Sequence, residues 1–212
     1  SLCLDTLCVF YNQSEWWRAA NNYCLKYQGD ICHVAPKGKK CFAAFSGDVA
    51  PALLLFDAQV ELAGPKGRRR IALADMYRND GMDHLTLGEG ELLVAVHLPK
   101  SPSPITTGYA KSRVRGSIDF PLAGVAVRLG LQDEKIADLR IGLTGVSPLP
   151  FLVHGLDKFI GRAPGEACLE ELRDVVRGQA KAMKTTLTPP HYRRRVAGAL
   201  AQKLAESIFQ TA

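Results

Sequence analysis

The sequence lacks several features that mark membrane, exported or hydrolytic proteins. Its longest uncharged apolar stretch, Val49 to Phe56, is far shorter than the ~20 residues that a transmembrane helix needs. No leader with a charged start and an apolar run opens the chain. It contains no G-x-G-x-x-G, phosphate-loop, G-x-S-x-G or HExxH motif, and its five histidines show no metal-ligand spacing. We therefore predict a cytoplasmic protein with no membrane contact that is neither a standalone hydrolase nor a transferase.

The composition is that of a globular protein with a moderate excess of positive charge. The 212 residues are 47% hydrophobic and 23% charged, and 27 Lys and Arg outnumber 21 Asp and Glu. The positive residues cluster at 37–40, 66–70 and 193–195, but no zinc finger, helix-turn-helix or aromatic RNA-binding strand accompanies them. We expect solvated surface runs and no nucleic-acid partner, and a basic non-redox binding module is kept as an alternative. Because the first residue is Ser1 rather than Met, we also expect a preceding segment.

Cysteine is unevenly distributed along the chain. Cys168 stands alone, and the other five cysteines lie within the first 41 residues: Cys3, Cys8, Cys24, Cys32 and Cys41. A disulfide framework would need an oxidising compartment and an even local count. Structural zinc usually uses C-x2-C pairs, which are absent, whereas an iron–sulfur cluster can take four thiolates from well-separated points of a loop. The pattern favours an iron–sulfur centre over zinc, and it leaves open which four of the five cysteines would bind it.

The segment between Cys8 and Cys41 is rich in turn-forming residues. Its aromatic side chains predict an apolar shell that would exclude water from a metal centre: Phe10, Tyr11, Trp16, Trp17, Tyr23 and Tyr27. His33, although next to Cys32, is expected to be exposed rather than a ligand. The lysines at 37, 39 and 40 would offset the charge of a four-thiolate cluster, receive an acidic electron donor, or form a solvated loop tip.

Beyond residue 50 the pattern predicts an α+β protein with two subdomains. The predicted strands, which include two hairpins, are 58–62, 71–73, 91–98, 108–113, 125–131 and 136–146. Apolar residues at helical spacing predict one helix around 169–176 and another that begins at Thr188-Pro189-Pro190, with Val196, Leu200, Leu204 and Ile208 facing the core. The Pro- and Ser-rich run 99–104 marks the predicted domain boundary, and Cys168 is predicted to be a buried thiol.

Four stretches, in order, resemble the flavin subunits of the molybdenum hydroxylases, the xanthine oxidase and CO dehydrogenase group. Residues 46–51 (SGDVAP) are similar to that family's S-x-x-D-x-x-P signature, and residues 87–99 to its L-x-x-x-E-I/L segment with a closing Pro. Tyr109-Ala110-Lys111, with Arg113 and Asp119, resembles its F-x-K-x-x-R-x-x-x-D run, and Tyr192-Arg193-Arg194 resembles its final helix. The resemblance covers essentially the whole chain and implies antiparallel strands packed with helices.

The resemblance implies a FAD site. Asp48, Leu92 and Lys111 fall where the family contacts FAD: Asp48 would accept hydrogen bonds, Lys111 would place positive charge near the isoalloxazine or ribityl group, and Leu92 would make an apolar or backbone contact. Two alternatives stay open, because Asp48 could instead cap the segment 49–56 and Lys111 could be a surface strand residue. The family's phosphate-binding loop and G-G-N turn precede Ser1, so we expect a FAD site that is incomplete without that segment.

The cysteine-rich stretch is an insertion relative to most of these subunits. It resembles the insertion in flavin (β) subunits of the 4-hydroxybenzoyl-CoA reductase type, which holds a 4Fe–4S cluster. By that resemblance Cys3 belongs to the family framework, and the metal ligands are Cys8, Cys24, Cys32 and Cys41. The expected organisation is the second half of a FAD-binding domain over 1–99, with a cluster-binding insertion at about 7–44, followed by a C-terminal flavoprotein domain over 100–212.

The resemblance also implies the function, that of an electron-transfer subunit without a catalytic residue of its own for the aryl substrate. Electrons from ferredoxin would pass through the 4Fe–4S cluster and FAD to the 2Fe–2S clusters of a small subunit. They would then reach the molybdopterin site of a large subunit, where 4-hydroxybenzoyl-CoA is reductively dehydroxylated. The alternative is an ordinary FAD subunit of a molybdenum hydroxylase, with a zinc-bound or metal-free loop.

Overall fold

The structure is a computed structural model that describes residues 1–100, 105–116 and 118–211. In this part of the chain, helices pack against two antiparallel sheets, so the mixed helix and antiparallel-sheet architecture predicted from the sequence is confirmed. Of the helices in these ranges, none combines the length and the apolar character that crossing a membrane requires. The Pro- and Ser-rich run, the predicted domain boundary, falls largely outside the described residues.

The first sheet is preceded by two short helices, α1 Glu15–Ala20 and α2 Val49–Leu54. Its strands are β1 Gln59–Gly64, β2 Gly67–Ala72 and β3 Leu92–His97, in the order β2-β1-β3. The predicted hairpin forms between β1 and β2, and its turn uses Gly67 at φ 103°, a conformation that residues with a Cβ rarely adopt. Buried residues of α2, β1 and the 3₁₀ turn Leu73–Met76 form one core, in which Phe45 is fully enclosed. Helix α1 was not predicted from the sequence.

The second sheet and two long helices form the larger core. The strands are β4 Thr106–Ser112, β5 Ala123–Gln132, β6 Lys135–Thr144 and β7 Phe151–Leu152, in the order β4-β5-β6-β7. The helices are α3 Glu166–Gln179 and α4 Pro190–Thr211. On α4 the most deeply buried stripe is Ala197, Ala201 and Ala205. Of the predicted stripe, Ile208 is buried in the core, whereas the residues at 196, 200 and 204 are only partly buried. Small residues allow this close approach, and Cys168 on α3 is buried as predicted.

The two sheets are joined through the segment that leads into α2. The backbone N–H of Phe45 donates to the carbonyl of Ser147 at 2.9 Å, and the N–H of Gly145 donates to the carbonyl of Phe45 at 2.7 Å. Helix α2 lies so close to β6 that a Cβ on Gly142 would be 2.5 Å from the carbonyl oxygen of Pro51. These contacts fix the start of α2, and therefore Asp48, against the second sheet.

One of the basic runs is not a solvated surface, contrary to the prediction for residues 193–195. Arg193 is only 1% exposed and has no carboxylate partner among the described residues. Its guanidinium donates instead to the carbonyl oxygens of Leu122, Met183 and Gly145 and to the hydroxyl of Thr185. Burial lowers the pKa of Arg193 to about 10. Arg193 therefore ties the first turn of α4 to the ends of β5 and β6, while Arg194 and Arg195 remain exposed.

Candidate functional site

The cysteine segment, defined here as residues 7–44, is closed at its base. Leu7 and Ala44 exchange two backbone hydrogen bonds of 2.8 Å, so the two ends of the segment lie side by side. Between them the chain runs through tight turns instead of strands, and Asn22, Tyr23 and Gln28 have positive φ values. Such turns let widely spaced residues of one loop point toward a common centre.

Four cysteines of this segment lie around one cavity. Cys8, Cys24, Cys32 and Cys41 are 7%, 8%, 5% and 4% exposed, and all four line one small cavity of about 10 Å³. Cys3 is exposed and does not line the cavity. The structure therefore separates Cys3 from Cys8, a distinction that the cysteine spacing left open.

Burial favours the neutral thiol at two of the four cysteines. Burial raises the pKa of Cys8 and raises the pKa of Cys41 to about 11. A backbone N–H group nevertheless reaches one of these sulfurs: that of Ala43 donates to Cys41 Sγ at 3.4 Å. Hydrogen bonds of this kind stabilise a ligating thiolate.

No single-ion metal site is formed in the described part of the chain. Within the described ranges, no three or more His, Cys, Asp or Glu side chains are grouped so that they could hold one metal ion. All four cysteines nevertheless line one cavity.

The aromatic shell is only partly as predicted. Phe10 packs near Trp17 and His33, with ring centroids 6.4 and 5.6 Å away, and Phe10 and Tyr11 line the cavity. Trp16, however, is 81% exposed, so its prediction as a shell residue is wrong; it lies on the outer face of α1, where no core covers it. His33 is partly buried, with Nε2 2.5 Å from the carbonyl oxygen of Tyr23, and lines the cavity, contrary to the expectation that it is exposed.

A second group of polar side chains lies at the start of α2. Asp48 accepts two hydrogen bonds through its carboxylate, from Lys111 Nζ at 2.8 Å and from the hydroxyl of Tyr109 at 2.5 Å. Lys111 also donates to the carbonyl oxygen of Asp119 at 3.0 Å. The structure thus brings Asp48 and Lys111 together, as two of the three predicted FAD contacts. Ser1 lies beside them, with its hydroxyl 3.4 Å from the backbone N of Val49.

The side chains of Asp48 and Lys111 are held by specific partners. Asp48 makes no side-chain capping bond to α2, because its carboxylate is engaged by β4 instead. The Lys111 side chain is 21% exposed and held at two positions, unlike a free surface lysine. Leu92 does not join this hydrogen-bonded group: it lies on β3 opposite Ala63, with 70% of its surface exposed.

Tyr109, which was part of a motif but was not predicted as a site residue, belongs to this group. Burial and the hydrogen bond to Asp48 raise the pKa of its hydroxyl, so it stays protonated and donates at neutral pH. A Cβ on Gly124 would lie 2.6 Å from that hydroxyl, so a glycine at this position leaves room for the Tyr109 hydroxyl beside Asp48. The available signal was the spacing of Tyr109 and Lys111, which places both side chains on one face of a strand.

One cleft adjoins both groups of residues. Its wall includes Cys8 and Val9 on the cysteine segment, Ser46 before α2, and Asp119 in the loop that follows β4. Since the carbonyl of Asp119 accepts from Lys111, the cysteine cavity and the Asp48–Lys111 pair lie on neighbouring sides of the same cleft.

Two families of known proteins match the chain. The FAD binding domain in molybdopterin dehydrogenase matches residues 28–101, and the CO dehydrogenase flavoprotein C-terminal domain matches residues 108–208. The carbon monoxide dehydrogenase medium chain of Afipia carboxidovorans is 29% identical over 185 residues, which is 86% of this chain and 61% of that protein. The aldehyde oxidoreductase FAD-binding subunit of Escherichia coli is 37% identical over 166 residues, which is 74% of this chain and 51% of that protein.

Solved structures show the same fold. A Cu,Mo-CO dehydrogenase chain, in its cyanide-inactivated form, superposes with a TM-score of 0.70 at 26% identity and covers 78% of this chain and 57% of that chain. Quinoline 2-oxidoreductase from Pseudomonas putida superposes with a TM-score of 0.71 at 17% identity and covers 86% of this chain and 65% of that chain. This chain spans about 43–61% of the length of the first curated relatives that it matches.

Proposed function

This chain belongs to the FAD-binding (medium) subunit family of the xanthine oxidase and CO dehydrogenase group, and we propose that it transfers electrons in a molybdenum enzyme of the 4-hydroxybenzoyl-CoA reductase type. In this role it holds FAD and a 4Fe–4S cluster in the cytoplasm and works with a large molybdopterin subunit and a small 2Fe–2S subunit. Relatives that are named medium chains or medium subunits support a multi-subunit assembly.

One observation carries the iron–sulfur part of the proposal. Four buried cysteines from separate turns line one cavity, while the fifth cysteine of the region is exposed. An iron–sulfur core is larger than a single ion and takes four thiolates at wider spacing. Four buried thiols in one cavity therefore support a cluster held by Cys8, Cys24, Cys32 and Cys41.

When bound, FAD and a cysteine-ligated cluster accept and release electrons, the cluster one at a time. The chain's own residues prepare the surroundings. The backbone N–H of Ala43 donates to the sulfur of Cys41, and Phe10 and Tyr11 form an aromatic part of the cavity wall. Asp48, held by Lys111 and Tyr109, presents a fixed carboxylate to FAD, and Lys111 adds a positive charge beside it.

A basic cleft near the cysteine cavity supports the proposal that the electron donor is an acidic protein such as ferredoxin. Lys40, which precedes the ligand Cys41, lines it together with Lys181 and Arg194. None of these three cations pairs with a carboxylate of the described residues. Uncompensated positive charge next to the cysteine cavity would steer a negatively charged partner toward it.

The assembled complex, purified anaerobically, should convert 4-hydroxybenzoyl-CoA to benzoyl-CoA when dithionite-reduced ferredoxin is supplied. Two electrons and two protons replace the hydroxyl group by hydrogen and release water.

We expect K181E to raise the KM for ferredoxin about tenfold at low salt, with a smaller effect at high salt, because the exposed charge is screened. K135E, at the start of β6 and outside this cleft, is the matched control. The proposal would be contradicted if the turnover rate did not depend on ferredoxin, or if K181E and K135E changed the KM for ferredoxin equally.

Removing the Lys111 charge should weaken FAD binding. In the deflavinated complex we expect K111M to bind FAD about tenfold more weakly than the wild type, because Asp48 loses its charged hydrogen-bond partner and the flavin loses a nearby cation. Fluorescence titration with FAD measures this change, and K135M is the control. If K111M binds FAD as tightly as the control, Lys111 does not belong to the flavin site.

A further inference from the structure

Lys26 is a buried cation in the wall of the cysteine cavity. Its side chain is only 5% exposed, and it lines the cavity together with the four cysteines. Its ammonium group lies 4.8 Å from the centre of the Tyr11 ring, on the same wall. A buried ammonium needs compensation, so its partners indicate what it does there.

All three N–H donors of Lys26 are used by protein oxygens. They reach the carboxylate of Asp5 at 2.7 Å, the carbonyl oxygen of Thr6 at 2.8 Å and the hydroxyl of Thr6 at 2.5 Å. No donor is left for a sulfur, so Lys26 acts on the cavity through its charge. Thr6 is fully buried and its hydroxyl donates onward to the carbonyl of Gly81, which fixes the position of the ammonium group.

The counter-ion of Lys26 lies on the outside. Asp5 is 57% exposed and does not line the cavity, so solvent screens the negative partner while the positive one faces the cysteines. Arg18, the other cation stacked on Tyr11, is paired with Glu15 and does not line the cavity. In the described part of the chain, Lys26 is thus the only lysine or arginine in the cavity wall.

We propose that Lys26 is a positioning charge that makes the four-cysteine centre easier to reduce; this inference rests on the proposed 4Fe–4S cluster. A cluster with four thiolates carries net negative charge, and reduction adds one more electron to it. A fixed cation at the wall of a low-dielectric cavity stabilises the added electron. The negative charge of Asp5 makes the centre harder to reduce, but solvent screening weakens this effect.

The test compares midpoint potentials by EPR-monitored titration of the purified complex with dithionite and mediators. We expect K26M to have a more negative potential than the wild type, K26R to restore it, and D5N to shift the potential in the positive direction. K39M, which removes an exposed lysine of the same segment, should leave the potential unchanged. A merely structural Lys26 would alter the amount of cluster without shifts of opposite sign.

Each outcome decides one claim. If wild-type protein binds no iron, the proposed cluster fails and the role of Lys26 falls with it. If the wild type holds a cluster but K26M and D5N leave its potential unchanged or move it in one direction, the cluster stands and the inference on Lys26 is wrong. If K26M does not assemble a cluster, the sign of the D5N shift decides: a positive shift supports the inference and any other result overturns it.

Discussion

Cys24→Ser should abolish iron binding while leaving the C-terminal half of the chain folded. Cys24 is 8% exposed and lines the cavity with three other cysteines, so its loss removes one of four ligands from a site that the fold does not otherwise complete. We expect iron and acid-labile sulfide to fall from about four per chain to near zero. The core of α3, α4 and the second sheet contains no residue of the cysteine segment, so its thermal unfolding should persist.

Cys3→Ser and Cys168→Ser are the matched controls for this result. Cys3 is exposed next to the cysteine segment, and Cys168 is buried in the larger core. Both variants should keep the iron and sulfide content of the wild type. Full iron in C24S, or loss of iron in C3S, would show that the four ligands have been identified wrongly.

Arg193→Met should be the most destabilising single change outside the cysteine segment. It leaves the carbonyl oxygens of Leu122, Met183 and Gly145 without their buried donor. Hydrogen bonds to a charged group contribute ~1.5–3 kcal/mol each, and relief from burying the guanidinium offsets part of their loss. We expect the free energy of unfolding to fall by roughly 3 kcal/mol, measured by urea denaturation.

The control for this prediction is its neighbour, Arg195→Met. Arg195 is exposed on the same turn of α4, so its substitution should change the free energy of unfolding by less than about 0.5 kcal/mol. An equal, small effect of both variants would mean that the buried guanidinium does not hold α4 against β5 and β6.

Some helices and strands could be predicted from the local sequence pattern, and others could not. The hairpin β1–β2 and the hairpin β5–β6 were predictable, since alternation and a turn signal are properties of neighbouring residues. Helix α1 was not predicted, because its six residues bury none of their side chains and therefore show no apolar stripe. Arg193 was misjudged for a related reason: its partners are backbone carbonyls, which leave no trace in the sequence.

Site residues that belong to a sequence motif could be predicted. Those whose role depends only on how the loop folds could not. Asp48 and Lys111 came from a family resemblance, and the structure then joined them through a 2.8 Å ion pair. Cys3 and Cys8 are chemically identical and five residues apart, so only the course of the loop shows that Cys3 is exposed and Cys8 is buried. Lys26 emerges in the same way, because its burial depends on Asp5 and Thr6, some twenty residues earlier.

The most direct test of the account is the iron and acid-labile sulfide content of the anaerobically purified protein, with an EPR spectrum after dithionite reduction. The account predicts about four iron and four sulfide per chain and the spectrum of a reduced 4Fe–4S cluster. Zinc in place of iron, or no metal at Cys8, Cys24, Cys32 and Cys41, would contradict it and leave the chain as an ordinary flavin subunit.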